Sequence, residues 1–288
     1  MHHPLQVKLI RFYFWLVSRI SPSLAVYSAH RLFHYPVNSK RKNRNALPLP
    51  TPELFDIPLY EGITLQGYRW GEKSHPKVLL VHGWSTTSRS MTHFTDLLLK
   101  NNYQVISYDA LRHGDSHGSF SDLASWADSV RAAMAHVGEV ECIIAHSFGG
   151  AAVTVASKLG LETKKLALIA PIHDIAAVAD NFARHLGIPL HIVKEMRAYT
   201  WNHNKVNFEK YGKDWDDIVT SDFHVPTLIY HDTEDKEIPI LHSQLLCQKW
   251  TWAELRPTHG LGHRTILDDD TVAKGVLAFI QKENNEVE

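Results

Sequence analysis

Glu141-Cys-Ile-Ile-Ala-His-Ser147-Phe-Gly149-Gly150 is the stretch on which the reading of this chain turns. An apolar run of strand character, Glu141 to Ala145, is separated by only four residues from a helix of small residues, Gly150 to Leu159. A turn that tight forces the residue at its apex, Ser147, into a strained backbone conformation. Neighbouring chain must pass across the positions two before and two after the apex, so both must be small, and Ala145 and Gly149 meet that condition. The serine hydroxyl then projects from the carboxyl end of a sheet. The N-terminus of the following helix places backbone N–H groups and a positive dipole beside it.

Working outward, short apolar strands alternate with helical patterns. Val78 to Val81, Gln104 to Tyr108, Lys165 to Ala170, Thr227 to Tyr230 and Ala253 to Arg256 read as strands. Met91 to Lys100, Leu123 to Val137, Leu241 to Trp250 and Val272 to Lys282 read as helices between or after them. Apolar runs without polar alternation are buried on both faces, which predicts a mainly parallel sheet in an α/β fold. Leu54 to Tyr60 and Ile63 to Tyr68 form an expected antiparallel hairpin turned at Glu61-Gly62. Between Pro171 and Val225 about fifty residues carry no strand, too many for a plain crossover.

The Ser147 segment resembles the nucleophile elbow of the α/β-hydrolase family, with Ala145 where the family's first glycine usually stands. Val81-His82-Gly83-Trp84 is similar to the family's oxyanion segment. The resemblance implies that the backbone N–H groups of Trp84 and Phe148 hold a tetrahedral oxyanion, with His82 bracing the loop. Tyr108-Asp109-Ala-Leu-Arg-His113-Gly114-Asp-Ser116 resembles the family's turn after the next strand, whose polar residues fix loops. In His231-Asp232-Thr-Glu234-Asp235-Lys-Glu-Ile-Pro239 the family's acid position matches Asp235, with Asp232 ranked second. In Thr258-His259-Gly-Leu-Gly262-His263-Arg264 the Gly-His pair matches at His263, with His259 as runner-up.

The resemblance covers roughly residues 55 to 285. It implies an α/β-hydrolase fold with a mainly parallel central sheet flanked by helices, a helical cap insertion at about 172–224, and a Ser147-Asp235-His263 triad in the family's chain order. It implies a serine hydrolase cleaving a small-molecule carboxylic ester through an acyl-enzyme, without cofactor or metal. A thioesterase or acyltransferase with the same triad is the alternative, and a non-catalytic ligand receptor on the same fold a third reading. No His-Glu-x-x-His or paired-cysteine spacing among the 20 histidines and two cysteines suggests a metal centre. Phe182, Leu186, Ile188, Ile192, Met196, Tyr199 and Trp201 fit either an acyl pocket or the insertion's own core.

Composition sets the remaining bounds. The 288 residues balance 30 Lys and Arg against 31 Asp and Glu, so no global field draws the chain to nucleic acid. Charge is uneven, however. Residues 1–52 hold eight basic side chains and no acidic one, leaving 22 basic against 31 acidic residues beyond them, a balance of −9. The apolar stretch Leu9 to Phe33 is interrupted by Arg11, Arg19 and Arg31, and its longest clean run is far short of the roughly 20 residues that span a bilayer. It reads as two helices broken at Ser21-Pro22, then a basic loop, Ser39 to Asn45, and a Pro-rich linker, Leu47 to Pro52. Residues 1–52 are therefore set apart as a basic helical extension from a domain at 53–288. Residues 1–46 either touch a membrane peripherally or pack on the domain with their charges in water. Cys142 and Cys247 are too few for a disulfide framework, and a cytoplasmic location is the expectation.

Overall fold

The structure is a computed structural model that describes residues 5–36, 47–214 and 223–282. The expected basic loop at Ser39 to Asn45 lies outside the described residues. In chain order the elements are α1 (Leu5–Ile20), α2 (Pro22–Phe33), β1 (Glu53–Tyr60), β2 (Ile63–Trp70), β3 (Lys77–Val81), α3 (Thr92–Lys100) and β4 (Gln104–Tyr108). They continue with α4 (Leu123–Val137), β5 (Cys142–His146), α5 (Phe148–Ser157), β6 (Leu166–Ile169), α6 (Ile175–Leu186), α7 (Leu190–His203) and α8 (Lys205–Glu209). The last are β7 (Thr227–Asp232), α9 (Leu241–Lys249), β8 (Ala253–Thr258), α10 (Gly262–Thr265) and α11 (Asp270–Gln281).

Two compact units emerge. The larger comprises Pro36–His173 and Ser221–Glu288, the smaller Met1–Tyr35 and Asp174–Thr220. This grouping departs from the boundary at residue 52: the N-terminal helices belong with the insertion, because their apolar faces form one core with it.

In the larger unit eight strands form one sheet in the order β1-β2-β4-β3-β5-β6-β7-β8. The β1–β2 hairpin pairs Ile57 with Leu65 and turns at Glu61-Gly62, where Gly62 takes a φ of 68° that a side chain would disfavour. β2 runs antiparallel to β4, and every later pairing is parallel. The strands alternate their side chains between two covered faces. Val78, Leu80, Cys142, Ile144, Ala167, Ile169 and Leu228 meet Phe94 and Leu98 of α3 and Val272, Val276 and Ile280 of α11. Leu79, Ile143 and Leu168 point the other way and are equally buried. Burial on both faces accounts for the unbroken apolar runs in the sequence.

Helix ends are satisfied locally. Asp122 caps α4 by accepting from the Ser125 N–H at 2.8 Å, with Ser125 Oγ answering the Asp122 N–H at 3.0 Å. Asp269 caps α11 through the Val272 N–H. At the other end of α11, the Lys165 ammonium donates to the carbonyls of Phe279 and Ile280.

In the smaller unit α1 and α2 pack with α6 and α7. Phe14, Ala25, Val26 and Ala29 join Ala179, Ala183, Leu186, Ile188, Ile192, Val193 and Met196 in one buried cluster. Phe182 and Tyr199 pack against it, and the Trp201 ring lies tilted against that of Phe208, centroids 5.1 Å apart. Of the two readings of these insertion residues, the core reading describes all but Trp201, which lies outside the cluster. The sequence could not name the other half of that core, which is supplied by residues some 150 positions earlier. Arg11 bridges the same distance in sequence by donating to the His185 carbonyl at 2.9 and 3.1 Å. Among the described residues no helix is long and apolar enough to cross a membrane.

Candidate active site

Ser147 is the single residue between β5 and α5, and its φ of 54° and ψ of −119° put it outside the ordinary regions for a non-glycine residue. One residue thus separates strand and helix, where the sequence pattern suggests four. The Ser147 N–H is held by the Ile169 carbonyl at 2.9 Å, which fixes the strained turn to the next strand. Gly149 is small of necessity: a Cβ there would run into the backbone carbonyl of His82 and lie 2.9 Å from that of Val81. Ala145 is fully buried, so its methyl group is accommodated where the hydrolase pattern usually has glycine.

Asp235 and His263 arrive after β7 and β8, Asp235 on a loop and His263 in the short helix α10. His263 Nε2 lies 2.9 Å from Ser147 Oγ, and His263 Nδ1 lies 2.7 Å from Asp235 Oδ2. A carboxylate can only accept, so the Nδ1–H donates to Asp235 and the Nε2 lone pair faces the serine hydroxyl. All three side chains are buried. Asp235 is further held by Oδ1, which accepts the N–H groups of Glu237 and Ile238 at 2.8 Å each. Burial pushes the Asp235 carboxyl up, but hydrogen bonds from His231 and His263 and the charge of His263 outweigh it and hold it below the usual carboxylate range.

Asp232 and His259, the second-ranked pair, have other work. The buried Asp232 carboxylate accepts from Glu234 N–H at 3.0 Å, Leu261 N–H at 2.9 Å and Thr258 Oγ at 2.9 Å. It therefore ties the two loops that present Asp235 and His263. His259 is exposed and pairs with Thr233 Oγ at 2.8 Å.

Trp84 and Phe148 come together beside Ser147. Their rings meet edge to face at 5.1 Å, with Trp126 5.1 Å from Phe148. A Cβ on Gly83 would lie 3.2 Å from Ser147 Cβ and 2.7 Å from His146 Nδ1, so the 82–84 segment passes directly against the serine turn. Phe148 opens α5, and its N–H has no acceptor within that helix.

Around this segment histidines act as braces. His82 Nδ1–H donates to the Gly83 carbonyl at 2.8 Å, while Nε2 accepts the Ala110 N–H at 2.9 Å. His113 Nε2 accepts the Ser85 N–H at 3.1 Å and its Nδ1–H donates to the Leu111 carbonyl at 3.0 Å. Burial keeps both neutral by lowering their pKa, that of His113 to about 3. Asp109 gathers Ser88 N–H, Asp115 N–H and the Tyr68 hydroxyl, and Gly114 is required because a Cβ there would enter the Asp109 carboxylate.

Three supports were not assigned a role from sequence. His146 Nε2–H donates to the His263 carbonyl at 2.9 Å, pinning the His263 backbone to the serine turn. His231 Nε2–H donates to the Ile238 carbonyl at 2.9 Å and lies 3.4 Å from Asp235 Oδ2, while its Nδ1 pairs with Ser243 Oγ at 2.6 Å. Arg264 joins Glu237 through two bonds of 2.9 and 3.0 Å, a second tie between the segments that carry Asp235 and His263. A polar residue closing an otherwise apolar buried strand was the available signal for His146 and His231. Arg264 and Glu237 carry no signal of their own. No group of three or more His, Cys, Asp or Glu is placed to hold a metal ion among the described residues.

The family model described as "Alpha/beta hydrolase family" matches residues 78–274. An esterase from Exiguobacterium antarcticum superposes with a TM-score of 0.61 at 16% identity, covering 81% of this chain and 100% of that one. A ferulic acid-bound protein from Butyrivibrio proteoclasticus, Est1E, gives 0.56 at 21% identity over 79% and 100%. Alpha/beta hydrolase domain-containing protein 10 from mouse gives 0.60 at 16% identity over 79% and 96%. At such identities the likeness is one of fold. No curated protein matches the chain.

Proposed function

The chain belongs to the alpha/beta hydrolase family, and from that premise we propose that it is a serine hydrolase acting on a small-molecule carboxylic ester. The observation that carries the reading is the relay from Asp235 through His263 to Ser147, with bonds of 2.7 and 2.9 Å. That geometry is what a weak nucleophile needs: a base within hydrogen-bond reach, itself oriented by a third group.

In this mechanism Ser147 Oγ attacks the ester carbonyl as His263 Nε2 removes its proton. The resulting oxyanion is bound by the N–H groups of Trp84 and Phe148, each such donor being worth about 3–4 kcal/mol of barrier. As the bond to the alkoxide breaks and the carbonyl re-forms, His263 returns the proton to the alkoxide, which departs as an alcohol and leaves the acyl group on Ser147 Oγ. Water, deprotonated by the same nitrogen, cleaves the acyl-enzyme and restores the serine. Asp235 stays ionised throughout, keeping the proton on Nδ1 and stabilising the imidazolium. Its lowered pKa suits that role.

The test is turnover of p-nitrophenyl esters from acetate to decanoate. Wild type is expected to release nitrophenolate with saturation kinetics, and the acyl length of greatest kcat/KM defines the substrate class. Wild-type rates no higher than those of the Ser147→Ala variant across the whole series would contradict the proposal.

A further inference from the structure

The smaller unit leaves half of its first helix unused. Ile10, Tyr13, Phe14 and Val17 of α1 turn toward the core shared with α2, α6 and α7. On the other side Leu5, Leu9, Phe12, Leu16 and Ile20 recur at i, i+4, i+7, i+11 and i+15, the spacing of a single helical stripe. They are 72%, 59%, 61%, 39% and 72% exposed, and Trp15 beside them is 52% exposed. One exposed leucine needs no explanation, whereas an unbroken apolar line over a helix about 24 Å long does. α2 adds a line of its own, Leu24 and Tyr27 followed by the exposed Arg31.

The charges beside the stripe identify what covers it. Lys8 and Arg19 are exposed on α1, and no carboxylate occurs anywhere in the first 52 residues. The Arg19 guanidinium lies over the Trp15 ring, 4.7 Å from its centroid, and donates to the Trp15 carbonyl. Trp15 in turn stacks on Phe12 at 5.9 Å. Apolar side chains at the centre, an amphipathic indole beside them and cations at the edge match the layers of an anionic bilayer surface: acyl chain, interface, phosphate. A second copy of the chain would bring Lys8 and Arg19 against their own equivalents, with no carboxylate on these helices to neutralise them.

We propose that the outer face of α1 docks on an anionic lipid bilayer. The helix lies in the plane of the interface, with Leu9, Phe12 and Leu16 among the acyl chains and Lys8 and Arg19 at the headgroup phosphates. The proposal rests on these helices alone and is independent of the ester chemistry.

The experiment is co-sedimentation of the full chain with phosphatidylcholine vesicles and with vesicles also containing phosphatidylserine, at low and high salt. Wild type is expected to pellet with the anionic vesicles, less so as salt rises. Leu9→Ser with Phe12→Ser, at exposed positions where the fold is not at stake, is expected to lower the partition coefficient by about tenfold or more. Lys8→Gln with Arg19→Gln is expected to remove the preference for phosphatidylserine, again by about tenfold. Circular dichroism melts confirm that each variant folds as wild type does. Wild type remaining in the supernatant with anionic vesicles, or the Leu9/Phe12 variant pelleting as wild type does, overturns the proposal. So does a dimer in sedimentation velocity that the Leu9/Phe12 substitutions abolish, since that would assign the face to a second copy.

Discussion

The loops around Ser147 and the helix pair Leu5–Phe33 are built on opposite principles. At the serine turn a positive φ, a required glycine and three side chains in hydrogen-bonded series leave almost no freedom. In the helix pair the contacts are apolar stripes, which accept any partner of matching shape, and one stripe is left facing outward. Forced backbone geometry makes a short sequence diagnostic. Generic apolar packing announces a helix without saying what it packs against.

Four substitutions probe that contrast, the losses of turnover first and the losses of stability after them. Ser147→Ala should lower ester turnover by about 10³-fold or more at unchanged fold, leaving a residual rate from the oxyanion donors. Asp235→Asn should cost about 10²–10⁴-fold in kcat, because an amide facing Nδ1 favours the wrong tautomer. Asp232→Asn should instead act on stability, costing about 1–3 kcal/mol in chemical denaturation by presenting an amide N–H to a loop donor, with turnover largely kept. Reversal of the two aspartates would break the assignment of Asp235 as the acid. On the helical side, Phe14→Ala should cost about 3–5 kcal/mol in the same assay, as truncation of a fully buried ring does. A loss below about 1 kcal/mol would mean that α1 is not part of that core.

Acid should weaken both units through their buried histidines. Burial lowers the pKa of His30 in the smaller unit to about 3, and it lowers those of His82, His113 and His146 in the larger unit. In the unfolded chain these groups take up protons near pH 6.5. The native state therefore binds fewer protons below that pH, and its stability, undiminished above about 6.5, falls as the solution is acidified. Asp235 adds to this only below about pH 4, where its unfolded carboxyl protonates and the depressed native one does not. Melting temperatures measured from pH 7 to pH 4 should decline steadily; a flat profile would show that the histidines are accessible to protons.

The same contrast explains what could be read from sequence. Strand positions, the β1–β2 hairpin and the turn at Ser147 followed from apolar runs and small residues, because each is enforced within a few neighbours. The residues meeting at the site lie on four separate segments, yet each segment carried its own local mark, such as Gly262 before His263. β7 and β8 run two residues past the expected ends because Asp232 and Thr258 are paired and bonded to each other, which no apolar pattern reveals. His146 and the Arg264–Glu237 tie escaped because their partners are distant in sequence, and His231 because its nearby partners, Asp235, Ile238 and Ser243, lie beyond the strand where no apolar pattern places them. So did the union of α1 and α2 with the insertion, whose stripes are complementary only once the chain has folded.

The most direct test of Ser147 as the nucleophile is reaction of the full chain with a fluorophosphonate, followed by peptide mass analysis. A single phosphonylated residue is expected, Ser147, with labelling lost in Ser147→Ala and strongly slowed when His263 is replaced by Ala. Absence of labelling in folded wild type, or an adduct on another side chain, would contradict it.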